Sequence, residues 1–137
     1  MKMNVIICLD DKSGMTFNNR RQSRDKTLTA KIINLCKEKK LLINNFSKNL
    51  FEDFEHSNIT VSEDFLLEAS PGDFCFVENK ELTPFEQFIE KIIVFKWNRS
   101  YPCDFYLDIP LDEWNLSKTV DFKGNSHEKI TMEVYNK

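Results

Sequence analysis

The sequence predicts an α/β fold: a central, mostly parallel sheet flanked by helices, with a C-terminal antiparallel hairpin. Three observations carry this expectation. Residues 3–9 (MNVIICL) are a continuous apolar run with β-branched members, the pattern of a strand covered on both faces. Between residues 41 and 97, strand-like runs alternate with helical patterns, the rhythm of strands paired in parallel through crossovers. After Tyr101-Pro102 the helical patterns stop, and residues 119–122 and 129–135 alternate on either side of Gly124-Asn125.

The elements follow in order. Asp10 to Gly14 brings turn chemistry, and a loop of about ten residues precedes any helical pattern, longer than the usual connection. Ser23 is the expected N-cap of the first helix, with Asp25 in its first turn, where a carboxylate suits the macrodipole. Leu28, Ile32, Leu35 and Cys36 form its apolar stripe, and the lysine-rich residues 37–40 close it. Residues 41–43 read as a strand, Asn44-Asn45 as a turn, and Ser47 as the cap of a short helix that turns Leu50, Phe51 and Phe54 inward. Residues 58–61 read as a strand, 63–69 as a helix, Pro71-Gly72 as a turn and 73–77 (DFCFV) as a buried strand. Thr83 is placed to cap a helix over 84–89 with Pro84 at its first position, and 91–97 (KIIVFKW) is a further strand.

Composition narrows the function classes. A chain of 137 residues is expected to form one domain over 1–137, because a single core of this size buries about two thirds of the unfolded surface. Hydrophobic residues at 41% and charged residues at 30% fit an ordinary globular protein, with twelve phenylalanines making the core aromatic. A net charge of −3 argues against a general nucleic-acid binder, which must neutralise phosphates. Cys8, Cys36, Cys75 and Cys103 lie far apart, three of them in apolar runs, so buried free thiols are expected rather than bridges or a metal site. The N-terminal apolar run is too short for a signal peptide, and no stretch reaches the ~20 apolar residues of a membrane helix. A cytoplasmic location and no membrane partner are the corresponding expectations.

Chemistry is expected first in residues 14–26 (GMTFNNRRQSRDK), which leave the first strand, carry Arg20, Arg21 and Arg24, and enter a helix at Asp25. Guanidiniums offer forked donors suited to phosphate or carboxylate, so this stretch is a candidate anion site. A solvated basic loop paired with surface carboxylates is the structural alternative. Neither His56 nor His127 has a serine or cysteine at a suggestive spacing, and no Gly-x-Ser-x-Gly, Walker A or dinucleotide motif occurs, so hydrolase and kinase chemistry have no motif here. His127 is expected to cap the last hairpin or to face a pocket, with the turn role favoured. Trp97 and Trp114 are expected in the core or at its rim. The carboxylates Asp104, Asp108, Asp112 and Glu113 match no calcium-loop spacing and read as a solvated acidic face.

With its elements in this order, the chain resembles the dihydrofolate reductase family nearly end to end. The first strand followed by the Gly-Met loop of Asp10 to Met15, the acidic Asp25 at the first helix, the FEQF segment, the strand KIIVFKW and the ending NSHEKITMEVY fall in the family's order, several matched in kind rather than identity. The resemblance implies NADPH bound across the carboxyl ends of the parallel strands. It also implies a pteridine next to a buried carboxylate that assists protonation during hydride transfer, and Asp25 takes that catalytic position. Judged by residue type alone, an aspartate there is also an ordinary helix-stabilising device worth ~0.3 to 1 kcal/mol. A second similarity, to short uncharacterised bacterial proteins sometimes labelled ribonuclease Z, finds no support in the residues, since a two-zinc nuclease needs a His-rich motif.

Departures from the family pattern lie at the cofactor and ligand positions. Where the family carries a Gly-Gly pair after the strand equivalent to FCFV, this chain has Glu78, Asn79 and Lys80, which makes a degenerate cofactor site there. Where the family has a Gly-Arg-x-Thr turn, this chain has Asn44-Asn45-Phe46-Ser47, keeping a hydroxyl but losing the arginine. Arg20-Arg21-Gln22-Ser23-Arg24 replaces the family's Trp and Pro ahead of the acidic residue. Lys96 falls where the family's strand passes near the pteridine, and a Lys96–Asp25 pair would hold the carboxylate ionised. The expected function is a divergent dihydrofolate reductase-like protein binding a small anionic or heteroaromatic ligand through Arg20, Arg21, Arg24, Ser47 and Lys96, with NADPH-dependent reduction as the reaction the resemblance implies. The alternative is a non-catalytic module that docks a protein or RNA partner through the arginine-rich loop.

Overall fold

A computed structural model describes residues 2–54 and 58–137, and His56 lies outside the described residues. In chain order the elements are β1 (Met3–Leu9), β2 (Gly14–Phe17), β3 (Arg20–Arg21), α1 (Lys26–Leu35), β4 (Leu41–Ile43) and α2 (Asn45–Lys48), which runs on into a 3₁₀ turn over Asn49–Phe51. Then come β5 (Ile59–Val61), α3 (Phe65–Glu68), β6 (Phe74–Phe76), a 3₁₀ segment over Thr83–Phe88, β7 (Ile89–Lys96), β8 (Phe105–Tyr106), a 3₁₀ turn over Leu111–Glu113, β9 (Asn115–Phe122) and β10 (Ile130–Asn136).

The main sheet has seven strands in the order β5-β4-β6-β1-β7-β10-β9. Its first five strands pair in parallel, and β7-β10-β9 pair antiparallel, as the sequence predicts. β1 is central because it has no solvent face: Met3, Val5, Ile6 and Ile7 are fully buried, each such side chain contributing about 1.5–3 kcal/mol on leaving water. Alternation divides its side chains between two cores. Val5, Ile7 and Leu9 join Phe65, Leu82 and Trp114 on one face. Ile6 joins Leu28 and Ile32 of α1, together with Phe76 and Trp97, on the other.

Five local expectations are corrected. The stretch read as a loop after β1 is a hairpin in a second, three-stranded sheet of order β3-β2-β8. Its tip, Asn18-Asn19, has φ of 52° and 60°, the two left-handed positions that a tight hairpin turn requires and that asparagine tolerates. α1 is capped by Asp25 rather than Ser23, with Asp25 Oδ1 accepting from the Thr27 and Leu28 amides at 3.0 and 3.2 Å. Ser47 lies inside α2, and Thr83 opens a 3₁₀ segment whose first amides are held by Asp108 from the far side of the chain. Leu35, placed in the apolar stripe of α1, is 36% exposed.

All four cysteines are free, and burial pushes the Cys36 and Cys75 thiols up to about 12. Among the described residues no helix is long and apolar enough to cross a membrane.

Candidate functional site

Parallel strands that share a direction present all their carboxyl ends on one edge, and ligands in open α/β sheets bind outside that edge. Here the edge is closed in by the β2-β3 hairpin and the start of α1. The resulting cleft is narrow, with an apolar floor of Met15, Leu28, Phe76 and Trp97 and a polar rim of Arg21, Gln22, Ser23, Arg24, Asp25 and Glu78. Asp10, buried at the end of β1, shapes the entry. Its carboxylate accepts from the Lys12, Gly14 and Tyr101 amides and from Gln22 Nε2. Burial raises its pKa, but these donors outweigh that and hold it low.

On one side of the cleft the chain closes on itself. Arg21 grips Glu78 as a fork, Nε to Oε2 at 2.5 Å and Nη2 to Oε1 at 2.8 Å, and Ser47 Oγ donates to Oε1 at 2.7 Å. Glu78 lies two residues beyond β6 and is buried, so its charge is compensated by this clasp rather than by water. Asn79 accepts from Asn44 Nδ2 at 2.9 Å, and Lys80 lines a separate groove beside Phe65, Leu66 and Phe85.

On the other side lies a network centred on Asp25, whose side chain is fully buried. Besides capping α1, its oxygens accept from the Asn125 amide at 2.9 Å, the Ser126 amide at 2.8 Å, Ser126 Oγ at 3.2 Å and His127 Nδ1 at 3.0 Å. Burial raises its pKa, yet the donors from Asn125, His127, Ser126 and Leu28 outweigh burial and hold the carboxyl well below the usual carboxylate range. The turn that brings these donors depends on Gly124, because a Cβ there would stand 2.5 Å from Asp25 Oδ2. His127 is buried against Trp97, with ring centroids 4.7 Å apart. Its Nε2 faces two hydroxyls, Ser23 Oγ at 3.0 Å and Tyr101 Oη at 3.2 Å.

The structure thus brings Arg21, Arg24, Asp25 and Glu78 to one cleft, with Ser47 behind Glu78. Arg20 lies outside it, in a groove shared with Arg24, Asn19, Phe46 and Asn49. Lys96 does not reach the cleft. It pairs with Glu133 of β10 at 3.2 Å, so the Lys96–Asp25 pair considered from sequence does not form, and His127 takes that place. Sequence reasoning passes over Ser23 and Tyr101 as site residues and, of the two roles open to His127, favours the turn over the pocket. No spacing signal could have joined them, since the partners stand on segments that meet only through the sheet.

No protein-family model and no curated protein matches the sequence. Among solved structures, a dihydrofolate reductase from Enterococcus faecalis, complexed with NADP(H) and RAB-propyl, is similar with a TM-score of 0.70 and 9% sequence identity, over 98% of this chain and 95% of that one. The fold is dihydrofolate reductase-like. At that identity the likeness extends to the path of the backbone, and the dihydrofolate reductase-like fold places the cleft described above at the carboxyl edge of its parallel strands.

Proposed function

We propose that the chain is a divergent dihydrofolate reductase-like protein whose carboxyl-edge cleft binds a small anionic or heteroaromatic ligand without NADPH as cofactor. The observation that carries this reading is the Arg21–Glu78–Ser47 clasp. NADPH does not fit the residues at that edge: the buried Glu78 side chain, locked to Arg21 and Ser47, fills the backbone approach that the family leaves to glycine. The acid role that the resemblance implies for Asp25 needs a carboxyl that takes up a proton, and the donors around it oppose that. We therefore derive no hydride-transfer step.

Ligand binding draws support from the mouth of the cleft. Arg24 is exposed there, and Arg20 is exposed in the adjoining groove beside the half-buried Phe46 ring, so a guanidinium fork and an aromatic face lie together. Gln22 Oε1 is buried at the rim without a partner among the described residues, an acceptor suited to a ligand N–H. Arg21 is committed to Glu78 and Ser47 to the same carboxylate, so Arg20 and Arg24 are the cations that would hold an anion.

Titration of the purified protein with dihydrofolate and, separately, with NADPH tests this through the fluorescence of Trp97, which lines the cleft. Saturable quenching by the heteroaromatic carboxylate, weakened about tenfold in Arg24→Ala, is expected, with no saturable response to NADPH. Saturable NADPH binding by the unaltered chain would overturn the cofactor part of the reading. No response to either would favour the docking alternative.

A further inference from the structure

We propose that Ser23, His127 and Asp25 form a hydrolytic triad in this cleft, acting on short-chain carboxylic esters. The three side chains are connected through the imidazole: Ser23 Oγ is 3.0 Å from His127 Nε2, and His127 Nδ1 is 3.0 Å from Asp25 Oδ2. A nucleophile, a base within hydrogen-bond reach and a carboxylate that orients the base are the geometric signature of an activated serine, independent of chain order or fold.

The surroundings set the roles. Asp25 is ringed by amide donors from both α1 and the β9-β10 turn, so it remains an acceptor, and the proton between it and the imidazole belongs on Nδ1. That leaves the Nε2 lone pair for a hydroxyl. Stacking on Trp97 holds the ring plane. Asp25 and His127 are buried whereas Ser23 is half-buried and lines both the cleft and the arginine groove, so the nucleophile is the member of the set that a substrate can reach. Tyr101 Oη lies 3.2 Å from the same Nε2, whose one lone pair accepts from one hydroxyl at a time, and the Ser23 hydroxyl is the one that lines the cleft.

In the reaction, Ser23 Oγ bonds to the ester carbonyl carbon while its proton passes to His127 Nε2. The same proton then leaves with the alcohol as the carbon–alkoxy bond breaks, giving an acyl-serine. Water attacks that acyl group and gives one proton to Nε2, which returns it to Ser23 Oγ as the acid departs. Ester and water become acid and alcohol, with no other reactant. The apolar floor of Met15 and Leu28 suits a short acyl chain, and Arg24 beside Ser23 suits an alcohol or acyl portion that carries a negative charge. This activity goes beyond the ligand-binding reading, though it takes place in the same cleft. Asp25 acts through His127 and is a positioning residue.

The test uses a neutral alkyl fluorophosphonate, which needs no arginine, on the full-length chain, followed by peptide mass spectrometry. Labelling at Ser23 is expected, with a rate that rises with pH and then levels, together with a p-nitrophenyl acetate burst of one equivalent. Ser23→Ala should abolish the label. His127→Gln should slow it by roughly 10³-fold, and Asp25→Asn should slow it while altering the pH profile. If a buried variant fails to fold, Ser23→Cys replaces only the half-buried member, and its thiol should be alkylated by iodoacetamide at pH 6 faster than an ordinary exposed thiol. A folded wild-type chain unlabelled at Ser23, or a Ser23→Cys thiol alkylated at the ordinary rate, would overturn the proposal and leave the network as a tie between the hairpin and α1.

Discussion

Asp25 accepts donors from two segments that are far apart in sequence, the first turn of α1 and the Asn125-Ser126-His127 turn. Removing the carboxylate would strand several of these donors in a buried setting, a larger loss than that of one helix cap. Asp25→Ala is therefore expected to destabilise the protein by about 3 kcal/mol, read from urea denaturation midpoints. The pH dependence follows from the lowered pKa. A carboxyl depressed in the folded state contributes stability that is fully present above its unfolded value, about pH 4, and is lost as pH falls toward the folded value. Acid titration of stability should thus be steeper below about pH 4 in the wild type than in Asp25→Ala, with Asp10 and Asp108 retaining their own shares in both. At this scale the sequence marked Asp25 as special through its place at a helix start. It held no trace of His127 as its partner, because a histidine after a glycine turn reads the same whether its ring faces water or a carboxylate.

Elements differ in how much of themselves they carry locally. β1 and β7 are legible because their apolar, β-branched runs suit a sheet interior covered on both faces. β2, β3 and β8 are not, since strands of four and two residues are too short to show a period and exist only through pairing. The Asn18-Asn19 turn is what makes the β2-β3 pairing tight, and with it the position of Arg21 opposite Glu78. A β-branched residue there meets the left-handed penalty, so Asn19→Val should cost about 1–2 kcal/mol, visible as a lowered thermal midpoint, and should loosen the Arg21–Glu78 clasp. Asn19→Gly should leave the midpoint unchanged or raise it. The expectation that Ser23 caps α1 fails for a related reason. Two residues near a helix start can both cap, and the choice falls to Asp25 because its carboxylate also answers the hairpin turn.

At the scale of the molecule, the antiparallel ribbon both completes the sheet and delivers His127 to the cleft. β9 forms the outer edge of the sheet, eight residues long and largely exposed, and an unguarded edge of that length would template pairing with another chain. Lys118, mid-strand, and the register shift between Val134 and Tyr135 in the neighbouring strand act against this. Replacing Lys118 and Thr119 together by valine should raise the concentration-dependent mass in sedimentation above that of the wild type, while the fold, judged by circular dichroism, is kept.

The residues by themselves were enough for the α/β class, the parallel core strands and the antiparallel ending, because burial on one or both faces imposes a period that any strand or helix must display locally. They were also enough to point to the stretch around Arg21 and Asp25. The partners of those two residues were decided by the tertiary structure alone. Glu78 and His127 reach the cleft through strand order and a hairpin turn, and such contacts between distant segments leave no mark on the spacing of the residues that make them.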